Sequence, residues 1–375
     1  MEPLVFTGFS SAPGGIPRVL ANLMNRFAAD GIALEAALPA SGCADAHLLD
    51  ASIPRSTVPG GLRGLWFWSR RMWRNPPSTI VSNRERGRPA LLIARALTGA
   101  GTRIVFRVGN PVSVHLARRG VHKRWIRGTA IRWSYPRADA VIVNSRALAV
   151  DVVRTAGVEP ERVHVLANPA IGAGLYEQAA SASGHDWLDA APRDCPVVLG
   201  AGRLAPQKDF ATLIRAVARL RRERAVRLIV LGEGKERDRL RRLADDLGIG
   251  TDVDLPGFVA APAAWMARAD AFVLSSRWEG SPNVLLEALA LGCPCVATQC
   301  PTGPDEILED GRYGPLVPVG DDEAVARALE RVLDDPLPSH TLREAAAPFH
   351  VETAAAAYER LLGVGRHPSI ERVVS

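Results

Sequence analysis

The sequence has few cysteines, few lysines and no long hydrophobic segment. Five cysteines are a small and odd number, which argues against a disulfide framework and favours a reducing compartment. No run approaches the roughly 20 consecutive apolar residues of a membrane-spanning helix. A signal peptide is not expected either, because Glu2 and Pro3 stand where a basic segment would be and glycines interrupt the apolar residues that follow. These absences predict a cytoplasmic protein without a membrane-spanning helix.

Charge is unevenly distributed along the chain. Residues 1–150 contain 21 of the 46 Lys and Arg residues but only 7 of the 40 Asp and Glu residues. The remainder is net acidic, although the whole chain carries a formal charge of +6. Five of the eight tryptophans also lie in the basic part, at positions 66, 68, 73, 125 and 133. This part of the chain is therefore suited to face an anionic partner.

Short apolar segments bounded by glycine and proline alternate with helical patterns. A length of 375 residues suits two domains of ordinary size, and uninterrupted apolar strands are typical of parallel sheets buried on both faces. We expect an α/β protein with two doubly wound, Rossmann-like domains, residues 1–172 and 173–375, facing each other across a cleft. Residues 168–195 are predicted to be the linker, and a helix around 350–365 is expected to pack back on the first domain.

The same pattern predicts where ligands bind. In open α/β sheets they bind beyond the carboxyl ends of the strands, so motifs at strand ends are the candidates for chemistry. Strands are predicted at 3–8, 33–38, 79–82, 103–107, 138–143 and 163–166, then at 197–201, 227–231, 270–274 and 294–298. Helices are predicted notably at 17–29, 209–223, 235–247 and 321–334.

The strongest functional signal is the segment Ser275-Ser-Arg-Trp-Glu-Gly-Ser-Pro-Asn-Val-Leu-Leu-Glu287, which follows a predicted buried strand. Ser281 and Pro282 predict a helix start, with a capping hydroxyl and a proline at the first helical position. The unbonded N–H groups of such a start favour an anion. In this chain they belong to Asn283, Val284 and Leu285.

Two glutamates flank this predicted anion site. Glu279 lies in the loop before it, and Glu287 lies about one turn inside the helix. A nucleoside diphosphate sugar has the same layout, with hydroxyl groups on both sides of its diphosphate. The alternative is that both glutamates are solvated surface residues. The leucines around Glu287 predict a largely buried helix, however, where an unpaired carboxylate costs several kcal/mol, and this context favours a ligand site.

The spacing Glu-x7-Glu resembles the signature of family 4 retaining glycosyltransferases, which belong to the GT-B superfamily. The likeness extends upstream through Gly202-Arg-Leu-Ala-Pro-Gln-Lys208, Val230-Leu-Gly-Glu-Gly-Lys235 and Pro256-Gly-Phe258, and it covers residues 195–335. It reaches the N-terminal part more weakly, through Gly14-Gly15-Ile-Pro-Arg18. The resemblance implies a nucleotide-sugar donor site in the second domain.

The resemblance also implies how the leaving group is stabilised. A departing diphosphate needs compensating positive charge, and the family resembled supplies it with Arg and Lys, which correspond to Arg203 and Lys208. The chain has only three lysines, at 123, 208 and 235, so a basic position is nearly always arginine. A compact ammonium at 208 therefore favours a specific role, the alternative being a solvated loop lysine.

Further candidates lie at other strand ends. Gly14 and Gly15 follow the first strand and would let backbone N–H groups approach a diphosphate or an acceptor, although a tight turn without a ligand is the alternative. In the family resembled, the corresponding loop closes over the donor, and the backbone at Gly257 and Phe258 resembles the segment that holds the nucleotide base. Candidate contacts of the sugar or acceptor in the first domain are Arg107, Asn110 and His115.

Other polar groupings favour structural roles. Asp252 and Asp254 have the spacing of a metal-binding pair, but they lie at the entry of a strand rather than at its end. The cysteines at 293, 295 and 300 lack a fourth ligand at metal-binding spacing. A lone histidine such as His115 is more often a surface or core residue than a functional one. We expect no metal and no other cofactor.

Together these residues predict transfer of a hexose or N-acetylhexosamine from a nucleoside diphosphate, expected to be UDP, with retention of the anomeric configuration. Glu279 is assigned to the hydroxyls of the sugar, Glu287 to those of the ribose, and Arg203 with Lys208 to the diphosphate. One alternative is a sugar-nucleotide epimerase on the same fold, which needs no acceptor. Another is an inactive membrane-surface scaffold, which predicts loss of one of these four residues, and all four are present.

Two segments of the first domain interleave basic and aromatic residues. Residues 63–74 contain four Arg, three Trp and one Phe, and residues 118–137 repeat the pattern. Such segments suit helices in the lipid headgroup region, the alternative being solvated faces with core tryptophans. Nucleic acid is not expected as a partner, because no binding fold for it is recognised. We therefore expect a lipid-linked glycan, carried on a polyprenyl diphosphate, as acceptor and an anionic membrane surface, the inner face of the cell membrane, as partner.

Overall fold

The computed structural model describes residues 2–9, 15–43, 46–117 and 120–365 and divides into two α/β units. Unit 1 contains the chain up to Pro169 and again from Val351 onward, and unit 2 contains Ala170–His350. The division after Pro169 lies three residues before the predicted one at 172. Within the described ranges no helix is both long enough and apolar enough to cross a membrane.

Unit 1 is built on a sheet of seven strands. They are β1 (Leu4–Thr7), β2 (Leu34–Pro39), β3 (Arg55–Val58), β4 (Thr79–Ser82), β5 (Arg103–Val108), β6 (Ala140–Val143) and β7 (Val163–Val165). Their order in the sheet is β3-β2-β1-β4-β5-β6-β7. Every neighbouring pair is parallel. The carboxyl ends of all seven strands therefore lie at one edge.

Helices cover both faces of this sheet. They are α1 (Gly15–Ala29), α2 (Gly61–Arg74), α3 (Arg88–Thr98), α4 (Val112–Ala117), α5 (Val121–Ser134) and α6 (Arg146–Ala156). Trp68 of α2, Leu91 of α3 and Ile131 of α5 belong to one buried cluster with alternate residues of the strands. Phe27 of α1 belongs to a second cluster, which contains the other set of alternate strand residues. Because successive side chains of a strand point to opposite faces, the two clusters are the two faces of the sheet.

Unit 2 is built on a sheet of six parallel strands. They are β8 (Val197–Ala201), β9 (Arg227–Leu231), β10 (Val253–Gly257), β11 (Ala271–Leu274), β12 (Cys295–Thr298) and β13 (Leu316–Val317). Their order is β10-β9-β8-β11-β12-β13. The chain thus runs outward from β8 in one direction and returns beside it with β11. This reversal of strand order is the position at which doubly wound sheets bind ligands.

The segment predicted as a linker belongs to unit 2 from Ala170 onward. It contains the first two helices of that unit. Two of its charged side chains pair with residues that immediately precede β11. Arg268 Nε lies 3.1 Å from Asp189 Oδ1, and Arg193 Nη2 lies 2.9 Å from Asp270 Oδ1. The helices of unit 2 are α7 (Ala173–Ala180), α8 (Asp186–Asp189), α9 (Phe210–Leu220), α10 (Arg237–Asp246), α11 (Pro262–Met266), α12 (Asn283–Ala290), α13 (Pro304–Ile307), α14 (Asp322–Asp334) and α15 (Ser339–Ala346).

The last helix, α16 (Val351–Leu362), returns to unit 1. Tyr358 and Leu362 are buried in the same cluster as Phe27. Two arginines of β5 bond to this helix: Arg103 Nη1 donates to the carbonyl of Leu361 (2.7 Å), and Arg107 Nε donates to the hydroxyl of Tyr358 (3.1 Å). The C-terminal helix is therefore an integral part of the first Rossmann-like unit.

Candidate active site

The loops on both sides of the strand-order reversal in unit 2 contain the strongest candidate residues. The loop after β8 carries Arg203 and Lys208, and the loop after β11 carries Glu279. The two loops are bonded to each other through their backbones. Arg277 N–H donates to the carbonyl of Gln207 (2.8 Å), and the Gln207 side chain donates from Nε2 to the carbonyl of Trp278 (3.0 Å). Residues far apart in sequence are thus fixed side by side.

Three glycines let these strand ends approach closely. Gly202 follows β8, Gly232 follows β9, and Gly257 ends β10. Gly232 N–H donates to the carbonyl of Gly257 (2.7 Å), and a Cβ on Gly232 would lie only 2.0 Å from the carbonyl oxygen of Gly202. All three have positive φ, which glycine adopts without steric cost. The carboxyl edge of the sheet therefore presents close-packed backbone without side chains at these points.

Lys208 and Glu279 form an ion pair at this edge. Lys208 Nζ lies 2.6 Å from Glu279 Oε1, and the two side chains are 15% and 8% exposed. Ser276 Oγ donates to the same oxygen at 2.6 Å. The hydroxyl of Thr302 donates to the backbone carbonyl of Glu279, and Ser275 Oγ donates to that of Lys208 (2.8 Å). The carboxylate and the ammonium are therefore fixed in position while they keep partial access to solvent.

Arg203 differs from Lys208 in its surroundings. Its side chain is exposed. It forms no hydrogen bond or ion pair with any residue in the described part of the chain. The nearby Asp209, by contrast, accepts bonds from Arg277 Nε and Thr212 Oγ1, each at 3.0 Å. Arg203 is thus a cation at the site that is available to a ligand.

The start of α12 corrects one prediction. The helix begins at Asn283, and Pro282 rather than Ser281 occupies the capping position, without a side-chain cap. Ser281 Oγ is instead buried with no hydrogen-bond partner among the residues described. Leu285 N–H donates to the carbonyl of Pro282 (2.9 Å), so this amide is not open to an anion. Asn283 and Val284 are the first two helical residues, and both are half-buried.

The second glutamate of the motif lies inside α12. Glu287 is buried, as the surrounding leucines predict, with Leu285 and Leu286 beside it in the helix. A buried carboxylate is uncommon unless it has partners. Two different environments thus follow from one motif: Glu279 is paired with a lysine in a loop, and Glu287 is enclosed in an apolar helix.

A buried thiol also lies near the ion pair. Burial and, secondarily, the charge of Glu279 raise the pKa of Cys300 to about 12. The thiol is therefore protonated at neutral pH, and a protonated thiol is a poor nucleophile. Cys300 does not offer a covalent route for the chemistry of this site.

The structure describes the residues predicted to hold the nucleotide base, but only part of the glycine loop after the first strand. Phe258, directly after Gly257, is 74% exposed, so its ring is available for stacking. Gly15 is the first residue of α1. Gly14 lies outside the described residues, as do Arg118 and Arg119 of the second basic segment.

The three acceptor candidates of unit 1 lie in unlike positions. Arg107 is buried, and its three nitrogens bond to Tyr358 (3.1 Å), Asn83 (2.9 Å) and Asn168 (2.5 Å). The expected contact of Arg107 with a sugar or acceptor does not fit this position, because its guanidinium is engaged inside the unit. Asn110 is half-buried just after β5, and His115 is exposed in α4, so both remain candidates.

The Asp-x-Asp segment is engaged with basic side chains. Asp252 Oδ2 lies 2.6 Å from Arg221 Nη2, and Asp254 Oδ2 lies 3.1 Å from His185 Nε2. These pairings agree with the structural role that its place at a strand entry favours. In the described residues no group of three or more His, Cys, Asp or Glu side chains is placed to share a metal ion.

Sequence reasoning missed Ser276 and Thr302. Both bond to Glu279, one to its carboxylate and one to its backbone. Ser276 lies three residues from Glu279 within the recognised motif, and this short separation is the signal that could have found it. Thr302 has a positive φ of 69° in a loop 23 residues away, and nothing local in the sequence points to it.

The two doubly wound units, with paired charged residues at the strand-order reversal of the second, define a protein of the GT-B fold. A family model described as Glycosyltransferase Family 4 matches residues 13–170, and one described as Glycosyl transferases group 1 matches residues 195–335. The alpha-D-kanosaminyltransferase of Streptomyces kanamyceticus is 30% identical over 73% of this chain and 68% of its own length. The chain belongs to glycosyltransferase family 4.

Other relatives match over shorter stretches. The lipopolysaccharide core biosynthesis glycosyltransferase LpsE of Rhizobium meliloti is 41% identical over 45% of this chain and 47% of its own length. The N-acetylgalactosamine-N,N'-diacetylbacillosaminyl-diphospho-undecaprenol 4-alpha-N-acetylgalactosaminyltransferase of Campylobacter jejuni is 33% identical over 54% of this chain and 52% of its own length. This chain matches about half the length of these two relatives.

A solved structure extends the likeness in fold to nearly the whole chain. Anabaena Alr3699/HepE in complex with UDP and glucose superposes with a TM-score of 0.79 at 22% identity, covering 97% of this chain and all of that one. The prediction of two doubly wound, Rossmann-like domains of the GT-B type is confirmed.

Proposed function

We propose that this protein transfers a hexose or N-acetylhexosamine from a UDP-sugar to a lipid-linked glycan, with retention of configuration at the anomeric carbon. The observation that carries the proposal is the Lys208–Glu279 ion pair beside the available Arg203, at the strand-order reversal of unit 2. HepE was solved with UDP and glucose, and the name of the C. jejuni relative gives a diphospho-undecaprenol acceptor. Both chemistries suit this arrangement of charges.

Every part of the donor, from the sugar to the base, is assigned to residues of unit 2. The carboxylate of Glu279 binds hydroxyls of the sugar, and that of Glu287 binds the ribose hydroxyls. The diphosphate lies against Arg203, Lys208 and the first residues of α12, with the hydroxyl of Ser281 and the amides of Asn283 and Val284 close to its oxygens. The base lies at Gly257 and Phe258. Positive charge beside the departing, negatively charged diphosphate stabilises it most where water is partly excluded, as it is around Lys208.

Retention follows a front-face route in this proposal. The leaving phosphate oxygen accepts the proton of the attacking hydroxyl, and Glu279 stabilises the positive charge that develops on the sugar. Arg203 and Lys208 provide the charge that a metal ion would otherwise supply.

We expect EDTA to leave the rate of transfer unchanged. The physical reason is that two cations of the protein already compensate the diphosphate. The measurement is the initial rate of product formation with EDTA present, compared with added Mg²⁺ or Mn²⁺. Activity that is abolished by the chelator and restored by Mn²⁺ would contradict the proposal and direct attention back to Asp252 and Asp254.

A panel of nucleotide sugars tests the activity itself. Thermal stabilisation by UDP, and by one UDP-sugar above the others, is expected, because a ligand that binds only the folded protein raises its melting temperature. Transfer is then followed with a polyprenyl-diphosphate-linked saccharide as acceptor. Conversion of the donor to another UDP-sugar without any acceptor would favour the epimerase alternative.

The two glutamates should respond differently to the same substitution. Glu287→Gln should weaken binding of free UDP by about tenfold, as expected for loss of one charge-assisted hydrogen bond. Glu279→Gln should leave UDP affinity nearly unchanged and reduce transfer, because its carboxylate faces the sugar. Calorimetry with UDP and kinetics with the UDP-sugar measure the two effects. Equal losses of UDP affinity in both variants would show that the assignment of Glu279 to the sugar and Glu287 to the ribose is wrong.

A membrane surface is proposed as the place where the acceptor is presented, at the inner face of the cell membrane. Trp66 and Trp73 of α2 are 65% and 74% exposed, whereas Trp68 is buried in the core. Arg70 stacks on Trp66, with 5.4 Å between the guanidinium carbon and the ring centre. The outer face of α2 thus combines indole rings with arginines, the composition that favours the headgroup region of an anionic bilayer.

Helix α5 adds a second element to this face. All six residues from Val121 to Ile126 are exposed, including Trp125 at 73%. Helix α3 contacts both α2 and α5, and its Leu97 is exposed as well. Exposed apolar side chains among arginines on neighbouring helices are costly in water and suit a lipid interface. We name the exposed side chains of α2, α3 and α5 the basic–aromatic face.

A further inference from the structure

Both observed bonds to the side chain of Glu279 reach one of its two oxygens. Lys208 Nζ and Ser276 Oγ each lie 2.6 Å from Oε1. No donor bonds to Oε2 among the residues that the structure describes. A carboxylate accepts bonds through two oxygens, each with two lone pairs. The protein thus saturates one oxygen and leaves the other for a ligand.

The serine rather than the lysine sets the direction of this carboxylate. A lysine is a point charge on a flexible four-carbon stem, so it neutralises a carboxylate without fixing its rotation. Ser276 has a short side chain and is completely buried. Its hydroxyl donates to Oε1 of Glu279 at 2.6 Å.

The backbone of Ser276 is itself fixed by the next strand of the sheet. Thr298, the last residue of β12, has its hydroxyl oxygen 2.5 Å from the carbonyl of Ser276 and 3.2 Å from that of Leu274, and it donates its single proton over the shorter distance, to Ser276. Thr298 is fully buried as well. A chain of bonds therefore runs from the sheet through Thr298 and Ser276 to the carboxylate of Glu279.

We propose that Ser276 is a positioning residue, which orients Glu279 so that Oε2 faces the hydroxyls of the donor sugar. The inference rests on the proposed function of Glu279. It adds a residue that contacts no substrate and acts only through the glutamate. The competing explanation is that Ser276 only satisfies a buried polar group and contributes stability.

A kinetic double-mutant cycle separates the two explanations. Ser276→Ala should lower kcat about tenfold, equivalent to the loss of one hydrogen bond to a charged group, with little change in KM for the donor and in the affinity for UDP. In the Glu279→Gln background the same substitution should have little further effect on kcat, because the oriented carboxylate is already gone. If Ser276→Ala lowered kcat by the same factor in the wild-type and Glu279→Gln proteins, the proposal would be overturned. An unchanged kcat in the Ser276→Ala variant would also overturn it.

Ser275→Ala is the matched control. Ser275 is equally buried and adjacent, but its hydroxyl donates to the backbone carbonyl of Lys208 and not to Glu279. Its loss should therefore change kcat by the same factor in the wild-type and Glu279→Gln backgrounds. Non-additivity of the same size for Ser275 and Ser276 would mean that any buried hydroxyl has this effect, and it would overturn the specific role of Ser276.

A structural measurement keeps this inference independent of the activity. If the wild-type protein transferred no sugar from any nucleotide, the proposed function would fail, but the orientation of Glu279 could still be compared. A crystal structure of Ser276→Ala should show the carboxylate rotated away from its position in the wild-type protein. A carboxylate that keeps the wild-type orientation, with Lys208 still bonded to Oε1, would overturn the positioning role.

Discussion

Replacing Lys208 by alanine should lower the turnover number by about 100-fold or more. The substitution removes a charge-assisted contact to a diphosphate whose negative charge grows as it leaves, and single contacts of this kind are worth two to three orders of magnitude. It also leaves Glu279, whose side chain is 8% exposed, without its cation. We therefore expect a loss of about 3 kcal/mol in the free energy of unfolding as well, as when one partner of a buried ion pair is removed.

Arg203→Ala is the matched control for this substitution. It removes the same charge from the same loop, but Arg203 is exposed and pairs with no described residue. Turnover should fall by a similar factor while stability stays unchanged. The double variant Lys208→Ala, Glu279→Gln should regain stability without regaining activity, since no buried charge is then unpaired. Steady-state kinetics and urea unfolding measure both quantities. Wild-type turnover in Lys208→Ala, or a stability loss that Glu279→Gln does not reverse, would contradict the role assigned to this pair.

The strands of the sheets were largely predictable because the buried parallel strands are apolar throughout. The predictions at 197–201 and 227–231 match β8 and β9 at both ends. Strand β3 was missed, since its residues are Arg-Ser-Thr-Val at the edge of the sheet and none is buried. Strand β13 has only two residues and gives no pattern. Strand β3 therefore lacks the apolar pattern by which the buried strands were recognised.

Polar interactions over long sequence separations were not predictable. The segment 168–195 shows no helical periodicity, and its residues Asp189 and Arg193 pair with Arg268 and Asp270, which lie far along the chain. In the same way Arg107 follows the pattern of a strand-end ligand residue, but Tyr358 and Asn168 complete its bonds from distant positions. Local patterns indicate which side chains are polar and not which groups bond to them.

The candidate site shows the same limit. The sequence identifies Lys208 and Glu279 as separate participants, one for the phosphate and one for the sugar. Their direct contact at 2.6 Å depends on β8 and β11 being neighbours, which no local pattern gives. The serine-proline signal for the start of α12 was wrong by one residue, because Pro282 takes the capping position. Both cases concern geometry that the packing of the unit determines.

The basic–aromatic face should bind anionic vesicles through arginines that have no acidic partner in the described part of the chain. Arg63, Arg70 and Arg74 are exposed, whereas Arg71 pairs with Glu35 at 3.1 Å and is unsuited to a lipid contact. Each basic residue near such a surface is worth about 1 kcal/mol, so reversing three of them to glutamate should lower vesicle partitioning by at least about 100-fold. Flotation with anionic liposomes at low salt measures this, and high salt should release the wild-type protein, because the attraction is screened within a Debye length.

A charge-matched control distinguishes vesicle binding by this particular face from binding that depends only on the net charge of the protein. Arg222, Arg331 and Arg343 are exposed arginines of unit 2 without an ion pair to a described residue, and their triple replacement by glutamate changes the charge equally. This variant should float like the wild-type protein. The variant of Arg63, Arg70 and Arg74 should still bind UDP, because the donor residues all belong to unit 2. Equal recovery with neutral and anionic vesicles, or equal losses in both triple variants, would contradict a specific lipid-binding face and favour an acceptor in solution.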